Sequence, residues 1–185
     1  MAELERSRDR DLLRSFRAGD RDAFTAIYRA NETAVFRFAL HMTGDRMKAT
    51  EITQDVFVWL IHHSDDFDPE RGELGAFLIG VARKLLHRHQ QNERRLVAFT
   101  EAPQHAVYQP CLDDSRDADT AELRRAIALL PQRYREAVVL CDLEDKSYEE
   151  AALAMDCAVG TVRSRLHRAR GLLARKLRSR QGCSA

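Results

Sequence analysis

Eight Arg or Lys residues and no acid fall between Gly160 and Arg180: Arg163, Arg165, Arg168, Arg170, Arg175, Lys176, Arg178 and Arg180. Such a run suits a polyanionic partner, because the planar fork of Arg grips phosphate oxygens or guanine edges through two parallel hydrogen bonds. A second basic stretch carries Arg83, Lys84, Arg88, Arg94 and Arg95. The acids gather elsewhere, in Asp65–Asp66–Asp68–Glu70 and Asp113–Asp114–Asp117–Asp119, so the formal net charge is only +1. Two separated cationic segments on a near-neutral chain point to two places that meet nucleic acid.

Other residues invite a catalytic or metal-binding reading, and their spacing argues against it. His87 and His89 stand two apart, on opposite sides of a helix, and the adjacent His62 and His63 diverge as well. Asp65, Asp66 and Asp68 sit in a Pro/Gly loop without a recognisable base or phosphate cradle. No catalytic group, metal or cofactor is expected. Cys111, Cys141, Cys157 and Cys183 are widely spread with no C-x-x-C pair, which suits free thiols, Cys141 and Cys157 being buried.

The elements that must position these cations are helical. The chain has 185 residues, with 44% hydrophobic and 32% charged residues and only eight Gly and four Pro, a composition for a core-forming, helix-rich protein. Its apolar runs fall far short of the roughly 18 residues of a membrane span. Met1 to Arg10 lacks the apolar stretch of a secretory signal. A cytoplasmic location without membrane insertion is expected.

Helical periodicity is read over Asp9–Ala18, Asp20–Met42, Met47–His62 and Leu74–Arg95 in the first half. Thr43-Gly44-Asp45 and the His63–Glu73 loop mark the breaks. Residues 96–119 hold Pro103, Pro110 and an acidic cluster without a sustained period, as an interdomain linker would. The second half resumes with Ala121–Leu130, Arg133–Asp142, Tyr148–Met155 and a last helix from Thr161 to about Arg180. The expected fold is all-α: two small helical domains, 1–95 and 120–185, joined by a flexible linker.

The sharpest local signal lies in the last two helices. Ser147-Tyr148-Glu149-Glu150 is a capping box, in which Ser147 caps the helix start and Glu150 reaches back. Asp156 to Gly160 makes a tight corner, and Thr161 opens the basic helix. Two helices joined by so short a turn are the arrangement that lays its second helix in the major groove. On that second helix Val162, Leu166, Ala169 and Leu173 form the inward stripe, and Ser164, His167, Arg168 and Gly171 face away, flanked by Arg163 and Arg165.

Tyr148-Glu149-Glu150-Ala151-Ala152 through Met155 to Arg170 resembles region 4 of extracytoplasmic-function sigma factors, a group of the sigma-70 family. Ala128-Leu129-Leu130-Pro131-Gln132-Arg133-Tyr134-Arg135 is similar to the segment that opens that region. Phe16 to Phe24, Ile27-Tyr28, Thr43-Gly44-Asp45 and Ala49 to Leu60 resemble region 2, as do Phe67 to Leu78 and Val81 to Lys84. Ala151 stands where the family usually has Ile, Ala158 where Pro is common, Phe77 where Trp is usual and Lys84 where Asn is frequent.

The resemblance implies an alternative sigma factor, not an enzyme, that brings core RNA polymerase to promoters in a stress or envelope response. It implies that Thr161, Arg163, Ser164, Arg165 and Arg168 read the −35 element. Phe67, Phe77, Arg83, Lys84 and Arg88 would meet the −10 element, and Glu51, Gln54, Asp55, Phe57 and Trp59 would dock on the polymerase. The implied partners are core polymerase through its β′ clamp helices and β flap, promoter DNA, and an anti-sigma factor. A stand-alone helix-turn-helix regulator would explain the second half equally well, but leaves the second basic helix and the docking segment Gln54-Asp55-Val56-Phe57 without a purpose.

Overall fold

The computed structural model describes residues 2–99 and 118–181, and every regular element among them is helical. Helix α1 spans Ala2–Arg17. It begins before the expected Asp9, because its first residues, although they carry no apolar stripe, are good helix formers. Helix α2, Arg21–Thr43, starts where the Asp20 carboxylate accepts from the backbone N–H groups of Asp22 and Ala23. Asp45 caps α3, Arg46–His63, in the same way. Both caps satisfy amides that a helix start leaves without partners. Two single-turn 3-10 helices, Ser64–Asp66 and Pro69–Arg71, lead into α4, Leu74–Phe99. At the start of α4 the carboxylate of Asp9 on α1 accepts from Leu74 N–H at 3.0 Å.

The second half holds α5 (Ala118–Ala128), α6 (Gln132–Val138), α7 (Tyr148–Met155) and α8 (Val159–Gln181). Between α6 and α7 the chain widens into a π turn over Val139–Leu143, where a single helix through Asp142 is expected from periodicity. Of the expected linker 96–119, residues 96–99 continue α4 and residues 118–119 begin α5. The rest of it lies outside the described residues, as do Cys111 and Cys183. Cys141 and Cys157 are free thiols, but both are half-buried rather than buried. Burial pushes the Cys141 thiol up to about 11, with the neighbouring Asp142 adding to the effect.

The core is continuous across the two halves. Phe38, Ile52, Leu60 and Leu78 from the first half and Leu140, Met155 and Leu166 from the second belong to one buried cluster. The halves are therefore not held apart: α7 lies against α4 and the turn before it. A Cβ on Gly80 would come within 3.2 Å of the Ala154 carbonyl oxygen, and one on Gly72 within 2.5 Å of Leu153 Cδ2. A side chain at Gly80 would require the Ala154 backbone to give by a few tenths of an ångström, and one at Gly72 would turn the Leu153 side chain aside.

Polar contacts frame this seam. Arg37 pairs with Glu144 at 3.2 Å and donates to the Leu143 carbonyl, and Arg135 donates to the Met42 carbonyl at 3.1 Å.

Candidate nucleic-acid and polymerase interfaces

The capping box expected at Ser147 is present, with Glu150 N–H donating to Ser147 Oγ at 3.1 Å and Ser147 N–H to the Glu150 carboxylate at 2.8 Å. Helix α7 has only eight residues, so this reciprocal cap fixes a large share of its backbone donors. It ends at Asp156, which takes a left-handed conformation with φ 50°, a position glycine fills more easily. Thr161 N–H then bonds the Ala158 carbonyl at 2.8 Å as α8 begins.

On α8 the two faces divide as the pattern requires. Val162, Leu166, Ala169 and Leu173 are buried, while Arg163, Ser164 and Arg168 are exposed and Thr161 and Arg165 half-exposed. The Arg163 guanidinium lies 5.5 Å from the centre of the Tyr148 ring, which orients it without neutralising it. Ser164 Oγ donates to the Thr161 carbonyl at 3.0 Å. Arg168 hydrogen-bonds the Tyr134 hydroxyl and pulls it below its ordinary value, with Arg133 acting in the same direction. Arg170, by contrast, is tied to Asp142 through two nitrogens. Of the five residues expected to read DNA, Ser164 and Arg168 lie on the outward face, Arg163 and Arg165 flank the buried stripe on opposite sides, and Thr161 is half-exposed at the helix start, while Arg170 is held aside.

The first half places its candidates less uniformly. On α3, Glu51 and Gln54 are exposed, and with them stand Met47 at 83%, Val58 at 53% and Ile61 at 48% exposure. These five positions form one outward stripe of mixed chemistry, as a protein-docking face requires. Phe57 points the other way: it is buried, its ring centroid 4.6 Å from that of Tyr28, and is a core residue rather than a docking one. Asp55 lies 3.5 Å from His89 Nε2. Trp59 leaves the stripe altogether and stacks on His63. Met47, Val58 and Ile61 are the docking candidates that motif reading passes over, although their spacing with Glu51 and Gln54 is itself the helical signal.

Of the residues expected to meet the −10 element, Phe67 is buried beneath Phe77, their ring centres 5.1 Å apart. Phe77 is half-exposed, and Lys84 and Arg88 are exposed. The loop between them is pinned to α1: Arg17 pairs with Asp65 at 3.0 Å and donates to the Ser64 carbonyl, and Arg10 pairs with Glu70.

Arg83 has a partner from the other half. Its Nε donates to Glu136 at 2.9 Å, and His87 Nε2 meets the second oxygen of the same carboxylate at 2.8 Å. Glu136, on α6, is 1% exposed. One cleft is lined by Arg83, His87, Gln132, Arg133, Glu136 and Arg165, so a residue assigned to each promoter element opens onto the same space.

Residues 27–96 match the family described as sigma-70 region 2, and residues 120–173 match sigma-70, region 4. The chain is 31% identical over 136 residues to the ECF RNA polymerase sigma factor EcfG of Rhodopseudomonas palustris, covering 74% of this chain and 75% of that one. It is 34% identical over 180 residues to the ECF RNA polymerase sigma factor SigM of Mycobacterium tuberculosis, covering 94% and 86%. Among solved structures it resembles CnrH in complex with the cytosolic domain of CnrY, with a TM-score of 0.69 and 25% identity over 93% of this chain and 98% of that one. It also resembles the sigma factor RpoE of Bartonella quintana in complex with the anti-sigma factor NepR, with a TM-score of 0.68 and 26% identity over 84% and 96%.

Proposed function

The chain belongs to the extracytoplasmic-function RNA polymerase sigma factors, and from that premise we propose that it docks on core polymerase through α3 and reads promoters through α8 and α4. The division of faces on α8 carries this reading. An apolar stripe anchors the helix while Arg163 and Arg168 remain free of acidic partners among the described residues. Thr161, Ser164 and Arg165 complete the surface assigned to the −35 element. Phe77, Lys84 and Arg88, with Arg83 once released, are assigned to the −10 element. Glu51, Gln54, Met47, Val58 and Ile61 are assigned to the polymerase, and the chemistry of transcription belongs to that partner.

Residues 1–95 and 120–185 are assigned to separate modules that move apart on the promoter, because the cleft they now share cannot serve two elements at once. Positions −35 and −10 are about 25 base pairs apart, which at about 3.4 Å per pair is roughly 85 Å of duplex. Two modest DNA affinities joined through the polymerase become one specific complex by effective concentration. The two solved relatives are held by anti-sigma partners or by a cytosolic protein segment. By analogy an anti-sigma factor controls this chain in a stress or envelope response, acting in the cytoplasm.

Run-off transcription tests the reading, using core polymerase and a fragment carrying the DNA upstream of this chain's own gene. A discrete transcript is expected only when chain and core are both present. Tight retention of the fragment by the chain alone, with no core-dependent transcript, would replace the sigma reading by a stand-alone regulator.

A further inference from the structure

The cleft at the seam has a volume of about 360 Å³ and walls from both halves. That size falls in the range of small-molecule sites, roughly 300–1,000 Å³. Charged residues predominate in its lining: Arg83 and His87 on α4 face Gln132, Arg133 and Glu136 on α6 and Arg165 on α8. Three arginines therefore share the space with a single carboxylate, a surplus of two positive charges with His87 neutral. That carboxylate is already engaged, one oxygen with Arg83 at 2.9 Å and the other with His87 at 2.8 Å.

The surplus sits on Arg133 and Arg165, which have no acidic partner among the described residues. Arg133 is exposed, its guanidinium 4.8 Å from the centre of the Tyr134 ring. Arg165 is half-exposed and makes only a weak 4.0 Å contact with Cys157 Sγ. Gln132 adds a donor to the same wall, because its Nε2 is buried without an acceptor among the described residues. A buried donor in that state is costly, and an oxyanion reached by a turn of the amide relieves the cost. Concave walls focus the field of such cations, and a guanidinium fork matches phosphate oxygens. Assignment to the −35 element accounts for Arg165, but not for Arg133 or Gln132 on α6, nor for the opposing α4 wall. A DNA duplex does not fit a space of this size.

We infer that this cleft is a binding site for a small diphosphate-bearing anion, clamped by Arg133 and Arg165 and hydrogen-bonded by Gln132. Two guanidinium forks without acidic partners suit two phosphoryl groups, each held through charge-assisted hydrogen bonds. Glu136 does not repel the ligand, since Arg83 and His87 neutralise it from the other side. The inference goes beyond promoter reading, because the site belongs to the free, closed chain. Only its consequence rests on that reading: an anion on Arg165 withholds this residue from the −35 element.

Equilibrium dialysis of the full chain against radiolabelled inorganic pyrophosphate tests the site, in metal-free buffer with ionic strength held constant by chloride. Saturable one-to-one binding is expected. Inorganic phosphate, which fills one clamp only, should bind about tenfold more weakly or worse. Arg133→Ala should weaken pyrophosphate binding about tenfold or more, for the same reason. Arg175→Ala, which removes an equal charge from an exposed position outside the cleft, should leave binding unchanged. Adenosine diphosphate as competitor separates the sources of the ligand. Tighter binding than pyrophosphate assigns the site to nucleotides, and equal or weaker binding assigns it to inorganic diphosphate. No saturable binding of pyrophosphate, or an equal loss in Arg133→Ala and Arg175→Ala, overturns the site.

Discussion

Phe57 is 3% exposed against the rings of Phe24 and Tyr28, while Val58, one residue later, is 53% exposed on the outer stripe of α3. The two positions therefore separate stability from docking. Phe57→Ala should cost about 3–5 kcal/mol, because it removes a packed ring and leaves a cavity. Val58→Asp should leave the melting temperature nearly unchanged, since exposed substitutions away from special features stay within roughly 0.5 kcal/mol. It should nevertheless weaken binding to core polymerase about tenfold, equivalent to about 1.4 kcal/mol. Thermal melts and binding titrations against core polymerase check the two halves of this contrast. The same pair shows where motif reading is blind. A motif lists Gln54 to Phe57 as a block, whereas the helix exposes Gln54 and buries Val56 and Phe57. Periodicity recovers the inward Phe57 and the outward Val58, but not the position of Trp59, whose environment comes from Phe77 on α4 as well as from His63 one turn on in its own helix.

At the scale of elements, the short helix α7 depends most on its ends. Its eight residues leave few internal hydrogen bonds to compensate for a lost cap. Ser147→Ala should lower stability by about 1 kcal/mol, seen as an earlier midpoint in urea with an unchanged slope. The cost should also loosen the presentation of α8, since α7 sets its angle. The capping box and both bounds of α7 are legible in the sequence because they depend on residues within four positions of one another. The π turn over Val139–Leu143 is not legible, nor is the cap of α4 by Asp9, which stands far away in sequence. Gly72 and Gly80 look like loop and helix weaknesses when read locally. Their reason is Leu153 and Ala154, on a helix of the other half.

For the whole molecule the decisive contact is the Glu136 carboxylate between Arg83 and His87. A buried charge is tolerated only when it is paired and hydrogen-bonded, and Glu136 has two partners from α4 while its own helix belongs to the other half. The contact ties the halves together and occupies Arg83, so under the proposed assignment of Arg83 to the −10 strand an intramolecular carboxylate takes the place of a phosphate. Substituting Glu136→Gln keeps the side chain's shape but removes the charge that Arg83 needs. That loss weakens the closed arrangement without touching the packing of Leu153 and Ala154 on Gly72 and Gly80. A closed chain of this length should have a radius of gyration near 16 Å. Small-angle scattering should find the wild type close to that value and Glu136→Gln larger, with helical content by circular dichroism unchanged. Equal radii would mean that the apolar seam between α4 and α7 holds the halves together by itself, and that opening must be driven by a partner that displaces α7 rather than by competition for Arg83.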